Sequence, residues 1–297
     1  MSPTVSSNPL SEFQGNVYSQ HGEDGVIEEI LNRISRTTPL DGWCVEFGAW
    51  DGIHLSNSYN LVRNRNYKAV LIEGDRVRYM DLCKNLPSPD IIKVCQFVTF
   101  SGESTLDCIL NKTPIPTDFD FLSIDIDGCD YYILESLTAY HPKLICIEFN
   151  PTIPNDVEFI QPKDFSIKQG SSAKSLLKLA TMKGYSLVAV TTCNLFFVRN
   201  QYKDSIISAA NSSLHHFRDD ADVKCYLFCG YDGTVLSNIP LRMPWHGLQI
   251  EGNSLQKLPK FLRRFPGDYN RIQKIAFAVF LAFSSPKRLW KRLTGTR

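Results

Sequence analysis

The chain has 297 residues, 43% hydrophobic and 21% charged, which is enough apolar material for one large α/β core with appendages. That balance excludes a disordered, collagen-like or disulfide-dense protein. The net charge of +1 hides a split: Gln256 to Arg297 holds eleven Lys/Arg and one acid, Asp268, so a segment near +10 follows a body near −9. Such a segment predicts an anionic partner.

At the start of the chain, MSPTVSSNPLSEF has neither a basic nor an apolar leader region, so no signal peptide is expected. The nine cysteines include no CxxC pair, and most sit in apolar runs such as WCVEF and LICIEF. They read as buried thiols of a reducing, cytoplasmic compartment, and CYLFC is a poor zinc site. Residues 1–42 form an N-terminal helical cap. Within it EDGVIEEILNRISR (23–36) has Val26, Ile27, Ile30, Leu31 and Ile34 on one helical face.

Residues 43–200 alternate apolar runs with helix-compatible stretches. The runs are WCVEFGA, KAVLIEG, IIKVCQFVT, FDFLSIDI and KLICIEFN, followed by YSLVAVTT and NLFFVRN. The first five read as parallel strands buried on both faces, and the last two, joined near Cys193, as an antiparallel hairpin. The expected fold is therefore a doubly wound, Rossmann-like α/β sheet, mostly parallel with an antiparallel last strand. Residues 201–252 are a hairpin extension turning at Asp232-Gly233, and 253–297 are a basic amphipathic tail.

The chemistry concentrates at strand ends. In EFGAWDG (46–52), Gly48 and Gly52 can supply the tight turn that lets backbone N–H groups face a nucleoside cofactor. Glu46 can reach the positively charged amino-acid end of S-adenosylmethionine (SAM). Glu46, Gly48, Asp51 and Gly52 are candidate cofactor residues, an ordinary βα turn being the plain alternative. The absence of a strict G-x-G-x-x-G argues against nicotinamide or flavin. Glu73 closes the next strand about 20 residues on, where an acid can accept both ribose hydroxyls. Asp75 fits a helix N-cap.

SIDIDGCD places Asp125, Asp127 and Asp130 at the fourth strand's end, and IEFNP places Glu148 and Asn150 at the fifth's. Asp125 is a candidate cofactor contact and catalytic base. Asp125, Asp127, Glu148 and Asn150 could together hold Mg²⁺ or Mn²⁺ through oxygen. The plain alternative makes Asp127-Gly128 a turn and Asp130 a helix cap. His21 is a second candidate base, since its ordinary pKa suits hydroxyl deprotonation. The loop 152–158 is placed to touch substrate.

Taken together, YSQHGEDGVIEEIL, WCVEFGAWDGIHLSN, VLIEGD, DFDFLSIDIDGCDYYILESL, IEFNPTIPNDVEF, QGSS and LVAVTTCNLFFVR resemble the FkbM-type SAM-dependent methyltransferases, in a branch with an N-terminal SQHGEDG motif. The resemblance covers about residues 18–200. It implies O-methylation of a hydroxyl on a carbohydrate, glycan or related metabolite, and assigns Glu46, Gly48 and Glu73 to SAM. The alternatives are a cation-dependent hydroxylase-like enzyme, an N-methyltransferase, or a non-catalytic docking domain on the same fold. In the tail, Asp268 is expected to cap a helix containing the apolar run 275–283. That run is too short to span a bilayer and is followed by PKRLWKRL. Residues 268–297 thus read as a peripheral anchor on an anionic membrane, on the inner face. The alternative is a helix packed on the body or on a second copy in a homo-oligomer. Nucleic acid ranks third, because no RNA-binding motif is present.

Overall fold

The computed structural model describes residues 9–207 and 213–284. The chain divides into two compact units between Asp220 and Ala221. The first is built on a seven-stranded sheet of order β3-β2-β1-β4-β5-β7-β6. Its strands are β1 (Trp43–Phe47), β2 (Lys68–Glu73), β3 (Ile91–Cys95), β4 (Phe121–Ile124), β5 (Leu144–Glu148), β6 (Tyr185–Val190) and β7 (Asn194–Arg199). The first five are parallel, and β7 pairs antiparallel with both β5 and β6. This is the mostly parallel α/β sheet that the apolar runs predict.

The helices of this unit are α1 (Glu23–Ser35), α2 (Tyr59–Arg65), α3 (Arg76–Asn85), α4 (Leu106–Leu110), α5 (Asp130–Ser136) and α6 (Ala173–Met182), followed by single turns α7 (Lys203–Ile206) and α8 (Leu214–Phe217). Residues of β1, β2, β4, β5 and β7 are buried almost throughout, as unbroken apolar runs require. Helix α1 buries all five residues of its predicted face. Local chemistry sets the helix boundaries. Asp75 accepts hydrogen bonds from Val77 and Arg78 N–H at the start of α3, and Ser172 accepts one from Ser175 at the start of α6.

Buried charge occupies the amino ends of the central strands. Lys143, just before β5, places Nζ 2.8 Å from Asp41 Oδ2 and 2.8 Å from Asp120 Oδ1, and donates to the Asp118 carbonyl. Asp120, just before β4, is fully buried and also accepts from Gly42 N–H, which precedes β1. One ammonium thus ties three strand starts together.

In the second unit, β8 (Leu227–Cys229) and β9 (Val235–Ser237) form the hairpin expected around Asp232-Gly233. Asp232 accepts from both the backbone N–H and the hydroxyl of Thr234. A second hairpin joins β10 (Leu241–Met243) to β11 (Leu248–Ile250), and α9 spans Arg271–Ser284. Asp268 does not cap α9; it sits in a short turn before it. Asn270 and Gln273 do so reciprocally, each side chain accepting from the other's backbone N–H. The side chain immediately before the helix is the one that reaches the N–H three residues on, and Asp268 lies too far upstream. The PKRLWKRL stretch lies outside the described residues. Among the described residues no helix is long and apolar enough to cross a membrane. None of the nine thiols is paired, but Cys95, Cys108 and Cys229 are exposed, so burial is less general than their apolar neighbours suggest.

Candidate active site

A cavity of about 690 Å³ opens at the carboxyl ends of the central strands, the end where open α/β sheets bind ligands. Glycine makes its floor possible. Gly48 has φ +72°, and a Cβ there would stand 2.4 Å from the Asp125 carbonyl oxygen, so the turn after β1 can lie against the end of β4 only without a side chain.

Two glutamates organise the loops on either side of this turn. Glu46, on β1, accepts from Ser56 Oγ (2.5 Å), Ser58 Oγ (2.6 Å) and Asn57 N–H (2.9 Å), drawing the 56–58 loop onto the strand. Burial pushes its carboxyl above the ordinary value, against those donated bonds. Glu73, closing β2, accepts from Trp50 N–H (2.8 Å) and Asp75 N–H (2.7 Å), and so clasps the glycine turn to the start of α3. Trp50 and Phe97 are exposed at the cavity wall, and the Arg78 guanidinium lies 4.3 Å from the Trp50 ring centre.

Across the cavity, Asp125, Asp127 and Glu148 each bring a carboxylate oxygen within 4.8 Å of the others. Asp125 and Glu148 hydrogen-bond one another. Asp125 is exposed at the cavity; desolvation by the surrounding protein first, then the negative charge of Asp130, Asp127 and Glu46, pushes it up to about 7. Burial and the same cluster push Glu148 up to about 9. Crowding of these carboxylates thus disfavours ionising both at once.

The far wall comes from the chain's beginning. Glu23 Oε1 accepts from Thr191 Oγ1 (2.7 Å) and Asn194 Nδ2 (3.2 Å), at the β6–β7 turn. Asp24 Oδ2 accepts from the N–H groups of Val17, Tyr18 and Ser19, folding that segment onto α1. Gln20 and Glu23 consequently line the cavity beside Cys193 and Asn194. The Asn194 Oδ1 is buried without a hydrogen-bond partner.

Residues 102–185 match the family model described as the methyltransferase FkbM domain. An FkbM methyltransferase domain is thus found over residues 102–185. The match runs from the turn before α4 into the first residue of β6 and includes Asp125, Asp127 and Glu148. No curated protein matches the chain. Three similar solved structures are a SAM-dependent methyltransferase from Aquifex aeolicus, TrmK of M. capricolum with S-adenosylhomocysteine, and the glycopeptide N-methyltransferase MtfA with SAM. The Aquifex protein is 15% identical with a TM-score of 0.36, covering 60% of this chain and 88% of its own. For TrmK the values are 16%, 0.36, 57% and 67%, and for MtfA 12%, 0.35, 61% and 94%.

Several expected site residues do other work. Asp51 does not line the cavity; its Oδ1 accepts from Ile53 and His54 N–H, closing a local turn. Gly52 supports the same turn, but a Cβ there would meet Leu82 of α3 and Leu86 just past its end, so its smallness serves helix packing. Asn150 is tied to the Gln169 carbonyl and to Thr152, which removes it from the carboxylate cluster. His21 is not a cavity residue; its N–H donates to Glu23 at 2.6 Å. Asp130 is no simple cap either: its two oxygens accept from Ile126 and Gly128 N–H, holding the loop that presents Asp125 and Asp127, and burial pushes it up to about 6. The wall expected from 152–158 is supplied instead by Phe165 and Lys168. Nothing local in the sequence marks those two, because they reach the cavity through a long irregular loop. Ser56, Asn57 and Ser58 also went unread, although a buried strand-end acid such as Glu46 demands donors nearby.

Proposed function

We propose that the protein transfers the methyl group of SAM to a hydroxyl oxygen of a carbohydrate, glycan or related small acceptor. The observation that carries this reading is the carboxylate cluster of Asp125, Asp127 and Glu148, which lines the same cavity as the Gly48 turn. Bound SAM supplies a methyl carbon activated by its sulfonium, and the residues present fit it. Gly48 leaves room for close backbone approach, Glu73 stands where ribose hydroxyls would donate, and the unpartnered Asn194 oxygen awaits a donor. The acidic cluster favours a cationic ligand. Asp125 would take the proton of an acceptor hydroxyl seated beside it as that oxygen bonds the methyl carbon and the methyl–sulfur bond breaks to leave S-adenosylhomocysteine, while Glu148 would steady the charge on Asp125 from alongside. Positioning supplies much of the remaining acceleration.

Calorimetry tests the cofactor half. Glu73→Ala should weaken SAM binding by about 1.5–3 kcal/mol through lost charged-acceptor hydrogen bonds. Gly48→Val should weaken it more, since a side chain there meets the Asp125 carbonyl. Parental affinity in both variants would mean that SAM does not bind in this cavity.

A second reading rests on the compactness of the three carboxylates. Asp125, Asp127 and Glu148 form a hard-oxygen set that suits Mg²⁺ or Mn²⁺, which would acidify a coordinated hydroxyl. That reading predicts that EDTA abolishes turnover, leaves SAM affinity nearly intact, and is reversed by either cation. Unchanged turnover in chelator leaves Asp125 as base without a metal.

A further inference from the structure

Helix α9 buries none of its residues. Ile272, Ile275, Val279 and Phe283 are 76%, 67%, 51% and 87% exposed. Their spacing of three, four and four places them on one face, the pattern of a helix that lays an apolar stripe against something. The opposite side is occupied midway along, where Phe277 packs edge-on against Tyr269. The helix contains Arg271 and Lys274 and no acid, and the sequence past Ser284 adds Lys287, Arg288, Lys291, Arg292 and Arg297, with Trp290 among them.

The geometry points to an anionic lipid surface as the occupant of this stripe, with α9 lying in the plane of the membrane interface. Three considerations select lipid. A helix of 14 residues is too short to cross a bilayer but long enough to lie along one. Its stripe is wholly aliphatic and aromatic, while the charges beside it are all positive, which matches acyl chains beneath phosphate headgroups. A second copy of the chain meets the opposite condition, because apposing two such helices brings together two segments near +10.

The test is sedimentation of the full chain with two vesicle preparations, one of phosphatidylcholine alone and one with about a third phosphatidylserine. At low salt the anionic vesicles should bind at least about tenfold more protein, and raised salt should reduce that excess. Ile275→Asp combined with Val279→Asp should bring binding to anionic vesicles down to the phosphatidylcholine level. Because both positions are exposed, the melting temperature should not move. Failure of the parent to sediment with anionic vesicles at low salt overturns the proposal. So does equal binding by the double variant. A melting temperature lowered by the double variant, or a parental dimer that it dissociates, would show that the stripe packs on protein and would overturn it as well.

Discussion

Asp125→Asn should lower turnover by about 10²–10⁴-fold while leaving SAM affinity within a few-fold of the parent, the range expected when a positioned base is lost. The amide keeps the size of the group but cannot take a proton. In the parent, with chelator present, turnover should rise as pH passes about 7, the value to which burial and neighbouring acids push Asp125. That limb should be absent from the variant's residual activity. The same groups make a stability prediction of opposite sense. Asp125, Asp130 and Glu148 are raised to about 7, about 6 and about 9, whereas unfolded carboxyls titrate near about 4. Between these limits the folded chain binds more protons than the unfolded one, so their stabilising contribution is full below about pH 4 and is lost as pH rises through the folded values. Glu148→Gln should therefore raise the melting temperature at pH 9 and change it little at pH 5. A parent whose stability is flat from pH 5 to 9 would contradict the crowding of these carboxyls.

Lys143→Met should destabilise the fold by about 3–5 kcal/mol, because it strands the buried Asp120 carboxylate whose partner was that ammonium. Lys143 is 3% exposed and Asp120 is not exposed at all, so water cannot replace the lost charge. Burial pulls the Lys143 ammonium down, but Asp120 and Asp41 outweigh it and leave its pKa raised. Asp41 shifts up through burial, against its own bond to Lys143. Asp120, the fully buried partner, is therefore the main counter-charge. A raised lysine contributes stability that persists throughout the neutral range and is lost only above its folded pKa. Urea denaturation should show the loss as a lowered midpoint, and Asp120→Asn in the Lys143→Met background should recover part of it. A single variant within 1 kcal/mol of the parent, roughly the worth of an exposed pair, would refute the account.

The sheet could be read from the chain because each buried parallel strand must be an unbroken apolar run, and WCVEF, KAVLIE and LICIE leave little other choice. The acids at strand ends were equally visible, since Glu46, Glu73, Asp125 and Glu148 interrupt or end such runs at positions where an unpartnered carboxylate is costly. What the sequence does not reveal is which oxygen is already satisfied. Asn150 and Asp51 have the composition of ligands, yet backbone donors a few residues away claim them. The contributions of Glu23, Phe165 and Lys168 depend on contacts between segments far apart in the chain, and no local period encodes those. The cap of α9 illustrates the same limit at short range: Asp268 and Asn270 are both good capping residues, and only the placement of the first helical turn decides between them.

The clasp formed by Glu23 also has a temporal side. Its partners Thr191 and Asn194 lie 168 and 171 residues further along the chain. During synthesis the glycine turn, Glu73 and the carboxylate pair all emerge well before the strands that complete the far wall. A nascent chain can thus assemble most of its sheet while the cavity stays open on one side, and Glu23 lacks its Thr191 and Asn194 partners until β6 and β7 leave the ribosome. Closure of the binding site therefore follows assembly of most of the sheet, which separates the acquisition of structure from the acquisition of a ligand.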